Sequence, residues 1–262
     1  MRYPNIDPVA FSLGPIQVHW YGLAYLASFL FVWLLLRIRS RQGWSPLNAA
    51  QIEDLIFYGA LGVVIGGRFG YVIFYKFGQF IEDPIWLFRV WEGGMSFHGG
   101  LLGVIAAMAI YASRQGIQLL RITDMVAPAV PIGLFLGRIA NFIGQELWGR
   151  PTTGWCGMVF PNDPLGLSRH PSQLYEAFLE GIVLFALLMW ISRRQRPVGL
   201  MSGLFLLLYG LARFVVEFVR EPDDHILTLV FGWMTRGQLF SLPMILVGLG
   251  LVIFALKQRS AD

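Results

Sequence analysis

The sequence predicts an all-α, polytopic membrane helix bundle with seven transmembrane helices, and two observations carry that prediction. Of 262 residues, 56% are hydrophobic and 14% charged, with mean hydropathy +0.60, more apolar side chain than one soluble core of this length requires. The apolar residues also gather into runs of about 20, the length at which a helix crosses a hydrocarbon core of about 30 Å, without the short alternation of barrel strands. The spans read as 17–37, 55–75, 95–114, 122–142, 171–191, 198–218 and 237–256. No break in composition divides them, so residues 1–262 read as a single membrane-embedded domain.

Residues 1–16, MRYPNIDPVAFSLGPI, lack a basic stretch followed by an apolar region and a small-residue cleavage site. They predict an interfacial arm, with Phe11 and Leu13 toward lipid. Span one opens on Tyr21. Span two carries Gly62, Gly66 and Gly70 at every fourth position, a stripe that lets helix backbones approach closely, and Arg68 about 10 Å inside its outer end. Residues 76–94 read as an interfacial loop with Trp86, Phe88 and Trp91 as aromatic anchors.

Span three begins with His98 between glycines, and Gly99 and Gly103 repeat the close-packing spacing. Span four holds Pro128 and Pro131, each of which removes an intrahelical hydrogen bond and predicts a bend below Arg138 and Asn141. Glu146 lies just past its end. Residues 143–170, with Gly149 and Cys156, predict a small periplasmic cap. Glu176 and Glu180 share one face of span five at i and i+4, and Tyr209, Arg213 and Glu217 follow at the same spacing in span six, with Arg220 three further on.

Orientation follows from the basic residues. Arg37, Arg39 and Arg41, Arg114 and Arg121, Arg193, Arg194 and Arg196, and Lys257 and Arg259 fall in alternate loops on one side, which the positive-inside rule makes cytoplasmic. The N-terminus is then outside, the C-terminus inside, and Asp223 and Asp224 are among the mixed charges of the outer side. In that frame Tyr21, Arg68, His98, Arg138, Glu176, Glu180, Arg213 and Glu217 all lie in the outer half of the membrane. That distribution describes a cup open to the outer side, whereas a transporter generally needs a polar path to both faces.

A charge at bilayer depth costs a few kcal/mol or more unless an anion or a water-filled cavity compensates it. Arg213 and Glu217 can neutralise each other as a structural pair, which leaves Arg68 and Arg138 needing partners. Glu176 and Glu180 are the candidates. The same guanidinium groups are also bidentate clamps for a phosphate, and His98 is the side chain whose protonation suits a general base near neutral pH.

Other chemistries fit poorly. The net charge of +4 is scattered at span ends with no basic stripe, which argues against nucleic acid. No metal-ligand spacing and no G-x-S-x-G occurs, and a single cysteine permits no intramolecular disulfide. Cys156 reads as incidental, His170 as structural, and His19 and His225 as isolated interfacial groups.

Six segments, HWYG at 19–22, GGRFGY at 66–71, GGMSFHGG at 93–100, GRIANFIGQELWGR at 137–150, RHPSQLYE at 169–176 and YGLARFVVEFVREPD at 209–223, together resemble the bacterial prolipoprotein diacylglyceryl transferases, in that family's order. The chain departs at Gly144 and Gln145, where the family signature reads Asn and then a variable residue, while Arg138, Asn141, Glu146 and Gly149 match it. The resemblance implies a bacterial inner-membrane enzyme of lipoprotein biosynthesis that moves the diacylglyceryl group of phosphatidylglycerol to the lipobox cysteine of a preprolipoprotein signal peptide and releases glycerol phosphate. It implies no metal or organic cofactor. It assigns His98, Arg138, Arg213, Asn141 and Glu146 to catalysis, and Arg68, Tyr21, Gly149, Tyr209, Glu217 and Arg220 beside Arg138 to substrate binding. The alternative is a phospholipid or organic-anion transporter using the same arginine pocket.

Overall fold

The computed structural model describes residues 1–221 and 234–259; Asp223, Asp224 and His225 lie outside the described residues. The protein forms two compact units, one of Leu36–Thr123 and one of Met1–Leu35 with the described residues from Asp124 onward.

The chain opens with an antiparallel hairpin, β1 (Val9–Leu13) and β2 (Ile16–His19), within and just beyond the segment expected as an interfacial arm. Its signal was local: Phe11-Ser12-Leu13 alternates apolar with polar, and Gly14 takes the left-handed φ of 62° that the turn requires. Helix α1 (Trp20–Arg39) therefore starts three residues after the expected boundary.

In the unit of residues 36–123, α2 (Ala49–Tyr75) begins six residues before the apolar run, because Asn48 and Gln51 form a capping box, with hydrogen bonds of 2.9 and 3.0 Å. After α3 (Phe77–Glu82) come two 3₁₀ turns, Pro84–Phe88 and Val90–Glu92. Helix α4 (Phe97–Gln115) is capped by Ser96, whose hydroxyl accepts the Gly99 N–H at 3.2 Å, and ends at left-handed Gly116. The glycine stripes bring α2 and α4 into backbone contact: a Cβ on Gly66 would lie 2.7 Å from the Gly103 Cα, and one on Gly70 equally close to the Gly99 Cα.

The chain enters the other unit within α5 (Leu119–Val126), and α5 and α6 (Val130–Ile143) are bent by 48°, with Pro128 in the break and Pro131 in the first turn of α6. The expected bend is present. The next span is one continuous helix in three parts: α7 (Ser172–Glu176), a π-helical stretch (Ala177–Val183) and α8 (Leu184–Ile191). Helix α9 (Leu200–Val216) has its first amides satisfied by Asp124, whose carboxylate accepts Gly199 N–H at 2.6 Å and Ser202 N–H at 2.8 Å. Helix α10 (Arg236–Arg259) follows.

Among the described residues, five helices are long and apolar enough to cross a membrane, six if α5 and α6 count as one span; α9, at 17 residues, is apolar but shorter. Large apolar side chains stay exposed along them, among them Leu26, Phe74 and Leu246 at 68–72%. Such surfaces suit lipid, and the chain is a multi-pass membrane protein.

The cap expected over 143–170 is a small sheet, again an exception to the all-α expectation. Strand β3 (Met158–Val159) pairs with β4 (Ser168–Arg169), flanked by bridges from Arg2 to Val159, Pro151 to Arg169 and Gly149 to Arg220. Tyr3 is buried against Phe142, Met158 and Phe160, and its hydroxyl donates to the Ile143 carbonyl at 3.0 Å. The first residues of the arm therefore pack on the cap. Arg169 grips Asp163 with two hydrogen bonds, 2.6 and 3.2 Å, and that guanidinium, with the amides of Leu165 and Leu167, holds the Asp163 carboxyl below the usual carboxylate range.

Candidate active site

Close packing sets the site. Gly181 lies where the π-helical stretch meets α6, and a Cβ there would fall 2.7 Å from the Phe135 Cβ, so only glycine admits this approach. Arg138 follows Phe135 by one helical turn and thus faces Glu180 of that stretch and Glu176 at the end of α7. Its Nε lies 3.0 Å from Glu176 Oε2 and its Nη2 3.6 Å from Glu180 Oε2.

From α9, Arg213 donates to Glu176 Oε1 and pairs with Glu217 Oε2 at 2.9 Å, one turn further along its own helix. Arg220, in the turn after α9, places Nε and Nη1 3.9 Å from Glu176 Oε1 and Glu217 Oε2. Three arginines and three glutamates so form one cluster. The carboxylate side chains are 0–4% exposed and the guanidinium side chains 12–18%, which leaves the cations on its open side. A π-helical turn inside a transmembrane helix is a costly departure that recurs at functional positions, and here it carries Glu180.

The pairing of Arg138 with Glu176 and Glu180 was expected. That of Arg68 was not: its Nε donates to the Leu87 carbonyl at 2.9 Å, its Nη2 to Trp86 at 2.6 Å and its Nη1 to Gly93 and Gly94, while the guanidinium stacks 4.3 Å from the Trp86 ring. At 2% exposure Arg68 ties down the 3₁₀ turns of its own unit. Trp86, expected as a membrane anchor, is buried beneath it and donates its indole N–H to Glu92 at 2.8 Å; Phe88 and Trp91 are exposed. His98 belongs to the same unit, exposed on the first turn of α4 and edge-on to Phe97.

Tyr21 and Tyr209 both lie within electrostatic range of Arg138, Tyr21 also of Glu146 and Tyr209 of Glu180. Asn141 is buried one turn beyond Arg138, and its carbonyl accepts the Glu146 N–H at 2.9 Å. Glu146 itself is exposed and sits between two non-glycine residues with left-handed backbone, Gln145 (φ 55°) and Leu147 (φ 58°). Such strain, about 1–3 kcal/mol per residue, persists only where neighbours enforce it. Gln173 donates to the Glu146 carbonyl at 2.6 Å, Ser172 to the Leu147 carbonyl at 3.0 Å, and Gln145 accepts the Asn162 N–H at 3.0 Å. The Ser-Gln of RHPSQLYE thus holds the turn that presents Glu146. Gly149 is packing: a Cβ would sit 2.7 Å from the His170 Cβ.

Sequence reasoning passed over Thr235 and Gly237. Thr235 and Gln238 form a capping box at the start of α10, visible as T-x-x-Q, and the Thr235 hydroxyl also donates to Glu217 Oε1 at 3.0 Å. Gly237 leaves room for that carboxylate, since a Cβ would lie 2.7 Å from Glu217 Oε2. Cys156, read as incidental, lies 3.1 Å from the Tyr175 hydroxyl and 3.9 Å from His170 Nδ1. His170 is structural as expected, its backbone exchanging hydrogen bonds with Gly149 and Arg150.

The family model for prolipoprotein diacylglyceryl transferase matches residues 8–254. A phosphatidylglycerol–prolipoprotein diacylglyceryl transferase of Teredinibacter turnerae is 57% identical over 98% of this chain and 93% of its own length. Proteins of the same name from Marinomonas sp. and Acinetobacter baumannii are 55% and 53% identical, over 98% and 100% of this chain and 96% and 97% of theirs. These matches span every segment that builds the arginine–glutamate cluster and the strained turn at Glu146, and the chain belongs to the prolipoprotein diacylglyceryl transferase family.

Proposed function

We propose that this chain transfers the diacylglyceryl group of phosphatidylglycerol to the lipobox cysteine of a preprolipoprotein, in the bacterial inner membrane and from its periplasmic side. The observation that supports this reading best is the buried cluster of Arg138, Arg213 and Arg220, whose cations lie on the more exposed side of their carboxylates. The seven-span topology, with the N-terminus outside, is part of the proposal, and so is the cap over 143–170 facing the periplasm.

In the reaction the substrate thiol attacks a glyceryl carbon. A C–S bond forms, the C–O bond to phosphate breaks, and the electron pair leaves on the phosphate oxygen of glycerol phosphate. Arg138 and Arg213 hold that phosphate and stabilise its developing charge, exchanging carboxylate oxygens for phosphate oxygens. His98 accepts the thiol proton. Asn141 and Glu146 orient the lipid headgroup, with Tyr21, Tyr209, Glu217 and Arg220 around them. Gly149 and Arg68 act through the backbone they position. The chemistry calls for no metal or organic cofactor, and the thiol is the substrate's, so Cys156 takes no part.

Purified protein mixed with phosphatidylglycerol and a lipobox peptide should yield the mass of the thioether adduct, and a peptide with serine in place of the cysteine should yield none. Lipid flux without any adduct would instead support the transporter reading.

A further inference from the structure

With every group ionised, three arginines and three glutamates sum to zero, a poor match for an anionic phosphodiester. The three carboxylates are not equivalent. Glu176 accepts a hydrogen bond from Arg213, has Arg138 Nε at 3.0 Å, and is also near Arg220. Glu217 has Arg213 at 2.9 Å, Arg220 at 3.9 Å and the Thr235 hydroxyl at 3.0 Å. Glu180 is fully buried and neither of its carboxyl oxygens accepts a hydrogen bond. Its cation contact, Arg138 Nη2 at 3.6 Å, is beyond hydrogen-bond reach, and Arg138 is held closer by Glu176.

The charged and titratable groups that face Glu180 are Arg138 from α6, Glu176 from its own helix, Tyr209 and Arg213 from α9 and Arg220 from the turn beyond. A buried ionised carboxylate without donors is far costlier than the neutral acid, and Glu176, one turn away, adds repulsion to the ionised form. We infer that Glu180 is held as a neutral carboxylic acid, so that the cluster carries three positive and two negative charges. The net charge of +1 matches the single negative charge of a phosphodiester headgroup. Glu180 is a positioning residue: its proton frees Arg138 from a second strong counter-ion and lets the guanidinium turn to phosphate.

The identity of the ligand rests on the reading under Proposed function, while the proton on Glu180 can be measured without any ligand. Infrared spectra of the full chain in a maltoside detergent, which contributes no carbonyl, should show a protonated carboxyl band at neutral pH in the difference between wild type and Glu180→Gln. The corresponding Glu176→Gln and Glu217→Gln differences should show the loss of carboxylate bands instead. A Glu180→Gln difference that lacks the protonated band, or shows loss of a carboxylate, overturns the inference. Should Glu180→Gln fail to fold, wild type carrying carboxyl-¹³C glutamate serves: the isotope should shift a protonated carboxyl band, and no shifted band overturns the inference equally.

In the transfer assay, Glu180→Gln should keep the KM for phosphatidylglycerol within about twofold, because glutamine mimics the neutral acid, whereas Glu180→Asp or Glu176→Gln should not. A large KM increase in a folded Glu180→Gln variant counts against it. If the band is present but no thioether ever forms, the protonated Glu180 stands and the diacylglyceryl transfer reading falls.

Discussion

Arg68 and Arg138 sit in similar surroundings of sequence, GGRFGY and LGRIAN, both within apolar helices and close to glycine, yet the protein uses them in opposite ways. Arg68 directs its N–H groups at backbone carbonyls of the following loop and stacks on Trp86, so its charge meets fixed dipoles that cannot leave. Arg138 meets carboxylates on movable side chains and keeps part of its surface open. A cation bound to backbone organises a loop. One bound to side-chain anions can exchange them for another anion, and that capacity separates a scaffold arginine from a binding one.

The sharpest test of this contrast is Arg138→Lys, which keeps the charge and loses the planar fork. Transfer should fall by about 1,000-fold with little change in the thermal midpoint, and a fully active lysine variant would break the comparison. Arg169 extends it as a second structural arginine, this time outside the membrane helices. Asp163→Asn should destabilise the cap by about 3 kcal/mol in denaturant titrations. Because the folded carboxyl is held low, that stabilisation is complete above the unfolded value near pH 4 and fades as pH drops through the lower folded value. Cap unfolding that is flat across that acid range would contradict the pairing.

Arg68→Lys should destabilise the protein by about 2 kcal/mol, since carbonyls lose their donors, and should speed proteolysis in 83–94 while leaving the lipid KM unchanged. The smallest effect is expected for Gly181→Ala, about 1 kcal/mol of overpacking against Phe135, with transfer reduced more than stability because Arg138 moves with its helix.

What the sequence made legible follows from which forces act locally. Apolar run length anticipated the five helices long enough to cross a membrane and the bent pair of α5 and α6, the prolines foretold the bend at 127–129, and four-residue spacing put Glu176 and Glu180 on the face that meets Arg138. The partners of Arg68 escaped notice because carbonyls carry no side-chain signature. The left-handed backbone at Gln145 and Leu147 is likewise imposed from outside, by Ser172, Gln173 and Asn162. The role of Thr235 depends on α10 being packed on α9, a tertiary fact, although its capping box was readable.

The widened helix around Glu180 has a corollary for insertions and deletions. A π-helical turn holds one residue more than an α-turn, so removing a single residue between Glu176 and Glu180 would let the helix relax to ordinary pitch and leave everything beyond it in nearly its present orientation, while the spacing of the two glutamates falls from i, i+4 to i, i+3. The lipid-facing half would scarcely register that change, but the two acidic side chains would no longer present the same geometry to the one guanidinium. Chain length between Glu176 and Glu180 is therefore constrained as tightly as residue identity.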